Sequence, residues 1–422
     1  MKKIKVFCLA DSPLAPSGVG TQTRYMIEGL LQTGKFEFVC FGGAIRHPDY
    51  KPIRTEEYGD DWIIYPVDGY GSQEQVRALL KAQKPDIVWI MTDPRFWGWL
   101  WNIDNEIRSV APLVYYHVWD NLPYPTFNRK WYLSNDLIAS ISKVTDDIIR
   151  NVAPEVDLVR IPHAVNDSVF CKIPDTNLIK SFKKDNLIGI DSKGNKRFTF
   201  FWNNRNARRK QSGSLMFWFN DFLDRVGRDK ATLIMHTEPK DPNGQDLDAI
   251  KDRLGFDDDQ FKLSTSKLSM EQLSVLYNAS DCTINISDAE GFGLATLESL
   301  ATETPIIVNM TGGLQEQVTD GENWFGFGIE PCSKAIIGSQ EVPWIYEDRI
   351  SGGDLVDAMV KMFELPDEER QEMGKKGREH VLKNYSMENY IQLWIKTLTD
   401  VHERHGSWET MNRNQWSLKK VL

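Results

Sequence analysis

The sequence predicts an α/β fold built from two successive domains, each a doubly wound parallel sheet. Three observations carry the prediction. Short apolar runs alternate with longer helical patterns from Ile4 onward, the alternation restarts at Phe198, and a polar stretch from Asn166 to Lys196, with Pro174, Gly189, Gly194 and many Lys and Asp residues, separates the halves. Such alternation argues for a parallel sheet covered by helices. Two sheets of this kind place a ligand cleft where their carboxyl ends face each other, and the polar stretch reads as the hinge region.

In the first half, Ile4–Leu9 reads as a buried strand, and Thr21–Gln32 carries Tyr25, Met26, Leu30 and Leu31 at helical spacing. Phe36–Phe41, Asp86–Met91, Leu113–His117 and Leu137–Ile141 are further strands, with a helix over Gln73–Gln83. In the second half the strands are Phe198–Trp202, Ala231–His236, Cys282–Ile286 and Pro305–Asn309. Helical runs lie around Leu215–Arg225, Leu247–Leu254 and Met270–Ala279. Ser386–His405 reads as a helix with Tyr390 and Trp394 on it, followed by a polar tail with Trp408 and Trp416.

A chain of 422 residues holds two to three domains at about 150 residues each. Hydrophobic residues at 41% and charged residues at 26% exclude a disordered or fibrous protein. Fifty Lys and Arg against 60 Asp and Glu give a net charge of −10, which disfavours bulk nucleic-acid binding without removing the option of one local basic groove. The five cysteines form no CxxC pair and read as buried apolar residues in a reducing compartment. After Met1-Lys2-Lys3 the apolar stretch Ile4–Ala10 is broken by Lys5 and closed by Asp11, too short for a signal peptide. No run reaches the length of a membrane span. A soluble, cytoplasmic protein is expected.

The most informative stretch is Ser287–Thr319, SDAEGFGLATLESLATETPIIVNMTGGLQEQVT. A strand leads into the loop Asp288–Gly293 and then a helix beginning near Leu294. Gly291 and Gly293 permit close backbone approach, and the free N–H groups of a helix start favour a phosphate. At about 100° per residue, Glu298 borders the apolar stripe of Leu297 and Ala301, whereas Glu303 falls on the far side. A carboxylate at a core edge needs a partner, and a ribose hydroxyl is one candidate. A glutamate held only by the helix dipole is the other.

Glu290-Gly-Phe-Gly-Leu…Glu298, with seven residues between the glutamates, resembles the EX7E signature of retaining GT-B glycosyltransferases, specifically glycosyltransferase family four. Pro305 and the Gly312-Gly313 turn fit the same pattern, and the likeness runs in order over nearly the whole chain. Thr296 stands where a proline is common, and Glu303 where a glycine is usual. The resemblance implies two Rossmann-like domains in a GT-B fold. Residues 1–168 would take the acceptor and residues 169–385 a nucleoside-diphosphate sugar, with 386–422 returning to the first domain.

Transfer would retain the anomeric configuration, with no cofactor and no essential metal. The donor would be a UDP-sugar, with GDP- and ADP-sugars as the other options, and the hydroxyl acceptor is unidentified. Glu298 would hold the ribose. Glu290 would contact the sugar and stabilise positive charge at its anomeric carbon. Phe292, Gly293 and Leu294 would complete the donor loop.

The run Asn203-Asn204-Arg205-Asn206-Ala207-Arg208-Arg209-Lys210 is the densest cationic patch in this acidic chain. It could be a solvated charge run or a nucleic-acid contact, but its place after an apolar strand favours a ligand. Arg205 and Lys210 look like the family's diphosphate-binding pair, meeting the charge of a departing nucleoside diphosphate. One cation about 4 Å from a phosphate oxygen contributes on the order of 4 kcal/mol at intermediate dielectric.

The first half offers Ser17-Gly18-Val19-Gly20-Thr21 as a glycine loop between strand and helix. A lone GxG equally suits a dinucleotide, although the full pattern is absent. The resemblance places Gly18 and Gly20 near the donor phosphates or the acceptor. His117, at a strand's carboxyl end, either faces the cleft or is a satisfied structural histidine. In similar enzymes a histidine here bonds the transferred sugar, with Trp119, Asp120 and the strand-end Asp93 as acceptor-side candidates. The tryptophans Trp89, Trp97, Trp99, Trp101, Trp119 and Trp131 suit stacking or core packing. The acid runs Asp146-Asp147 and Asp257–Asp259 read as solvated.

Other classes share parts of this pattern: a nucleotide-sugar epimerase, a phosphorylase with lysine-bound pyridoxal phosphate, a non-catalytic sugar-binding protein, and a glycosyltransferase acting on a modified DNA base, as in phages.

Overall fold

In the computed structural model, residues 2–174, 176–186 and 188–412 are described, and Trp416 of the polar tail lies outside them. The chain forms two compact units. The first takes residues to Trp119, then Tyr124–Pro162, and the segment from Glu388 onward; the second takes Asp120–Pro123 and His163–Met387.

The first unit holds an eight-stranded sheet. Its strands are β1 (Ile4–Asp11), β2 (Phe36–Gly43), β3 (Ile53–Arg54), β4 (Trp62–Pro66), β5 (Ile87–Met91), β6 (Leu113–His117), β7 (Leu137–Ser140) and β8 (Leu158–Arg160), in the order β3-β4-β2-β1-β5-β6-β7-β8. All neighbours pair in parallel except the short edge strand β3. Every residue of β5 and of β6 is buried, as continuous apolar runs covered on both faces must be.

The helix after β1 begins at Gly18, not near Thr21, because the Ser17 hydroxyl caps it by accepting from the Gly20 amide at 3.0 Å. Gly18 and Gly20 therefore lie in a helical turn and not in a loop. A Cβ on Gly20 would come within 2.7 Å of the carbonyl oxygens of Ser12 and Ala15, so the packed loop itself demands glycine there.

The helix Met387–His405 closes this unit. Trp394 is fully buried, edge-on to Trp89 (5.7 Å) and Tyr116 (4.9 Å), and the Tyr390 hydroxyl donates to the Gln22 carbonyl at 3.0 Å.

The second unit holds a six-stranded, all-parallel sheet. Its strands are β9 (Phe198–Asn203), β10 (Ala231–His236), β11 (Phe261–Ser264), β12 (Cys282–Asn285), β13 (Ile306–Asn309) and β14 (Gly326–Ile329), in the order β11-β10-β9-β12-β13-β14. Phe200, Phe219, Phe222 and Phe256 fill its core between the sheet and the helices Ser212–Val226 and Gly352–Glu364. The stretch 166–196 lies inside this unit and carries a helix, Thr176–Asn186.

An antiparallel hairpin, β15 (Ser333–Ile337) and β16 (Ile345–Arg349), follows β14. The helix after β12 runs Leu294–Ala301 and stops short of Glu303. Glu303 sits instead in a turn at φ +63, a backbone region that favours glycine, which accounts for the residue usual at that place. Among the described residues no helix is long and apolar enough to cross a membrane.

Candidate functional site

In the second unit the strand order reverses between β9 and β12, and open α/β sheets bind ligands at such a switch point. Two loops meet there. After β9, a 3₁₀ turn at Arg208–Lys210 and a left-handed Gln211 (φ +57) lead into the helix Ser212–Val226. After β12, residues 286–293 lead into Leu294–Ala301. The Asp288 amide donates to the Arg209 carbonyl at 2.8 Å, and the Gln211 amide group donates to the Asp288 carboxylate at 2.6 Å, so the loops are stitched together.

This stitching brings Lys210 against Glu290. Their side chains form a direct ion pair at 9% and 13% exposure. Arg209 donates to the Ala289 carbonyl and lies 3.8 Å from the same Glu290 oxygen. Burial resists ionisation of Glu290, but Lys210, Arg209 and the Asn285 amide outweigh it and hold the carboxyl below its ordinary range. Burial pulls Lys210 down to about 8 against the opposing pull of Glu290.

Arg205, which the family resemblance pairs with Lys210, faces elsewhere. It is 64% exposed and forks onto Asp241 at 2.6 and 3.1 Å. The second cation beside Glu290 is Arg209, inside the basic run but not singled out by spacing.

Glycines bring the backbone up to the main-chain carbonyl of Glu290. The Gly313 amide donates to the Glu290 carbonyl at 3.0 Å, and a Cβ on Gly312 (φ +50) would fall 1.9 Å from that oxygen. Gly293, at φ +93, caps Leu294–Ala301 without a side chain, leaving the amides of the first turn open to an anion. Phe292 points inward instead, packed edge-on to His163 (5.1 Å) and Tyr385 (5.6 Å), so only its backbone faces the loop.

One turn into that helix, Glu298 accepts from the Tyr277 hydroxyl at 2.8 Å, and Tyr277 accepts from the Asn203 amide at 2.9 Å. Burial raises the Glu298 carboxyl to about 7, with Tyr277 opposing the rise. Asn203 also lines a cavity of about 280 Å³ at the ends of β9, β10 and β11, together with Arg205, His236, Thr237 and the stretch 264–267. Asn204 Nδ2 and Thr237 Oγ1 are buried there without a partner, the mark of a site that expects polar contacts.

Asp120 belongs to this unit. Its Oδ2 lies 3.6 Å from the Cβ position of Gly312, and burial raises it to about 6, tempered by Arg209 and reinforced by Glu290.

The remaining expected residues lie in the first unit. His117 ends β6 but is wholly buried, its Nε2 bonded to the Tyr132 hydroxyl at 2.9 Å, and burial lowers it to about 3. Asp93 caps the turn Pro94–Trp97 through the Arg95 amide and forks onto the Arg95 guanidinium at 2.9 and 2.7 Å. Trp119 is buried edge-on to Phe127 at 5.7 Å, and Trp101 stacks on Trp131 at 5.7 Å. Of the acid runs, Asp146 in the first unit is engaged by Arg150, and Asp258 and Asp259 in the second by Lys251 and Ser192.

Comparison with known proteins gives the family signal for the half that holds these loops. Residues 259–380 match the glycosyl transferases group 1 family. That region spans β12, Glu290, Glu298 and the Gly312-Gly313 turn.

Trehalose synthase of Pyrococcus horikoshii is 25% identical over 130 residues, 31% of this chain and 26% of that protein; the Thermococcus litoralis enzyme is 25% identical over 127 residues, 30% and 25%. The chain thus spans about a quarter of the length of the curated relatives it matches. Among solved structures, sucrose-phosphate synthase of Thermosynechococcus elongatus superposes with a TM-score of 0.73 at 15% identity, covering 96% of this chain and 100% of that one. HepE of Anabaena, solved with UDP and glucose, gives 0.68 at 15% identity, covering 94% and 100%. An α,α-trehalose 6-phosphate synthase from Burkholderia multivorans gives 0.67 at 12% identity, covering 96% and 99%. The chain has the GT-B fold of these proteins.

Proposed function

We propose that the protein is a retaining glycosyltransferase of the family-four type, moving a sugar from a nucleoside-diphosphate donor to a hydroxyl acceptor without a metal. The observation that carries the reading is the buried Lys210–Glu290 pair, set beside the uncapped start of Leu294–Ala301 at the sheet's switch point. A pyrophosphate at that helix start is met by amides, Lys210 and Arg209, with Arg205 at the cavity rim.

Fixed cations near the leaving oxygens supply charge stabilisation of the kind a divalent ion supplies elsewhere. The bond from the anomeric carbon to the β-phosphate oxygen breaks, its electron pair leaving with the diphosphate. The acceptor oxygen bonds the same face, and its proton passes to the departing phosphate. Glu290, kept ionised by Lys210 and Arg209, faces the positive charge that develops on the sugar. Glu298 takes the ribose hydroxyls, and the cavity beside Asn203 takes the base. UDP is the favoured nucleotide, a choice supported by the UDP-bound HepE of like fold.

The acceptor side belongs to residues 1–168, with Asp93 and Trp119 there, Asp120 beside Glu290, and the helices from 386 onward completing that domain; His117 is wholly buried on Tyr132. The enzyme works in the cytoplasm.

The test is a thermal-shift panel of UDP-, GDP- and ADP-sugars, followed by assay of nucleoside diphosphate release with and without hydroxyl acceptors. A shift with one nucleotide class and acceptor-dependent release support the reading. Saturable binding without any released diphosphate, or a changed sugar nucleotide released without acceptor, overturns it.

A further inference from the structure

Tyr277 sits on the helix Met270–Ala279 with its ring fully buried, edge-on to Phe201 at 5.1 Å and to Phe170 at 6.1 Å. A phenol has one proton to give. Because the Asn203 amide already donates to this oxygen at 2.9 Å, the proton is committed to Glu298 Oε2 at 2.8 Å. One carboxylate oxygen is thereby taken by the protein, and the other is left for a ligand.

Asn203 lines the neighbouring cavity, so the same hydrogen-bond chain runs from the cavity wall to the carboxylate. Among the described residues no cation is bonded to Glu298. From the helix Asp367–Asn384, Arg378 is spent on the Ala301 and Phe170 carbonyls, and His380 on the Glu316 carbonyl. The polar groups of the other adjoining elements are bound to each other: Ser299 to Thr283, Thr296 to Gln317.

We infer that Tyr277 is a positioning residue of the nucleotide site: it fixes which oxygen of Glu298 receives the sugar hydroxyls of a nucleoside diphosphate and, through Asn203, couples that setting to the cavity that takes the base. The inference rests on the reading of Glu298 as the ribose ligand.

The physical consequence is a pH signature. Burial favours the protonated carboxyl, and the Tyr277 hydroxyl is the group that favours the anion. Without it, more of Glu298 is protonated at neutral pH, and a protonated oxygen no longer accepts from two hydroxyls.

The experiment uses the full chain in calorimetric titrations, first of wild type with UDP, GDP and ADP, and then of wild type, Tyr277→Phe and Glu298→Gln with UDP at pH 6, 7, 8 and 9. Phenylalanine keeps the ring packing, so the variant folds. Tyr277→Phe should weaken UDP about tenfold at pH 7 and recover toward wild type by pH 9. Glu298→Gln should be weak and flat across the range. A ¹³C titration of the Glu298 carboxyl without nucleotide should move to higher pH in Tyr277→Phe, an effect that ring packing alone does not produce. An unchanged carboxyl midpoint, or wild-type affinity with wild-type pH dependence in Tyr277→Phe while Glu298→Gln is weak, overturns the inference. Wild type that binds none of UDP, GDP and ADP overturns the donor-site reading itself.

Discussion

Lys210 and Glu290 form a nearly solvent-free ion pair across two loops that are 80 residues apart in sequence. Each holds the other's charge in place, and among the described residues the only further ion-pair contact of either is the 3.8 Å approach of Arg209 to Glu290. Removing one partner strands the other. Lys210→Ala should therefore destabilise the fold by about 3–5 kcal/mol, the usual cost of an orphaned buried charge. Lys210→Ala together with Glu290→Ala should melt closer to wild type than Lys210→Ala alone. Thermal melts of the three proteins check this, and an unimpaired single variant would refute the buried pair.

Arg205 and Arg209 should separate stability from turnover. Arg205 is exposed and bound to Asp241 at the surface, so Arg205→Ala should leave the melting temperature within a degree or two. If it meets the diphosphate on binding, turnover should still fall on the order of 10²-fold. Arg209→Ala should lower both, since its guanidinium also holds the Ala289 carbonyl. Steady-state kinetics beside melts of the same preparations distinguish the two residues.

The carboxyls of Glu298, Asp120 and Asp288 each make a pH-dependent contribution to stability. Burial raises them to about 7, about 6 and about 6, above their values in an unfolded chain. Between the unfolded and folded values each of these carboxyls holds more proton in the native state, so their share of the stability declines as pH rises from about 4 to about 7, while the buried His117 and His163, lowered to about 3, contribute with the opposite sign over much of the same range. Glu298→Gln should flatten the upper part of that decline. Chemical denaturation of wild type and Glu298→Gln at half-unit steps in pH measures that carboxyl's share as the difference between the two curves.

Two backbone positions should respond in opposite directions. Gly312→Ala puts a Cβ 1.9 Å from the Glu290 carbonyl oxygen at a positive φ, and should cost at least about 1 kcal/mol along with activity. Glu303→Gly relieves a left-handed glutamate and should raise stability by up to about 1 kcal/mol, less what glycine gives to the unfolded chain. Paired melts decide both signs.

The loop Asp288–Gly293, the helix start at Leu294 and the border position of Glu298 were legible because a strand, two glycines and an apolar stripe are all local patterns. Arg209 was not, since which cation turns inward depends on the 3₁₀ turn at Arg208–Lys210 and on Gln211 adopting a left-handed conformation. Tyr277 was hidden among the apolar residues of its helix, and its hydroxyl acquires meaning only when β9 brings Asn203 alongside. The hairpin β15–β16 is not legible in the sequence because its strands are short and mostly exposed or half-exposed, with Ile336 at 66%, so no buried run announces them. The helix start at Gly18 is not legible from composition, because a serine cap outweighs glycine's poor helix propensity.

The helix carrying Tyr390 and Trp394 has a bearing on biosynthesis. The sheet it finishes is translated first, yet the indole that fits against Trp89 and Tyr116 leaves the ribosome only after the entire second unit has been made. The amino-terminal half must therefore wait, its aromatic seat bare, while its neighbour is free to mature. A nascent chain arrested before Met387 should be the species that chaperones hold.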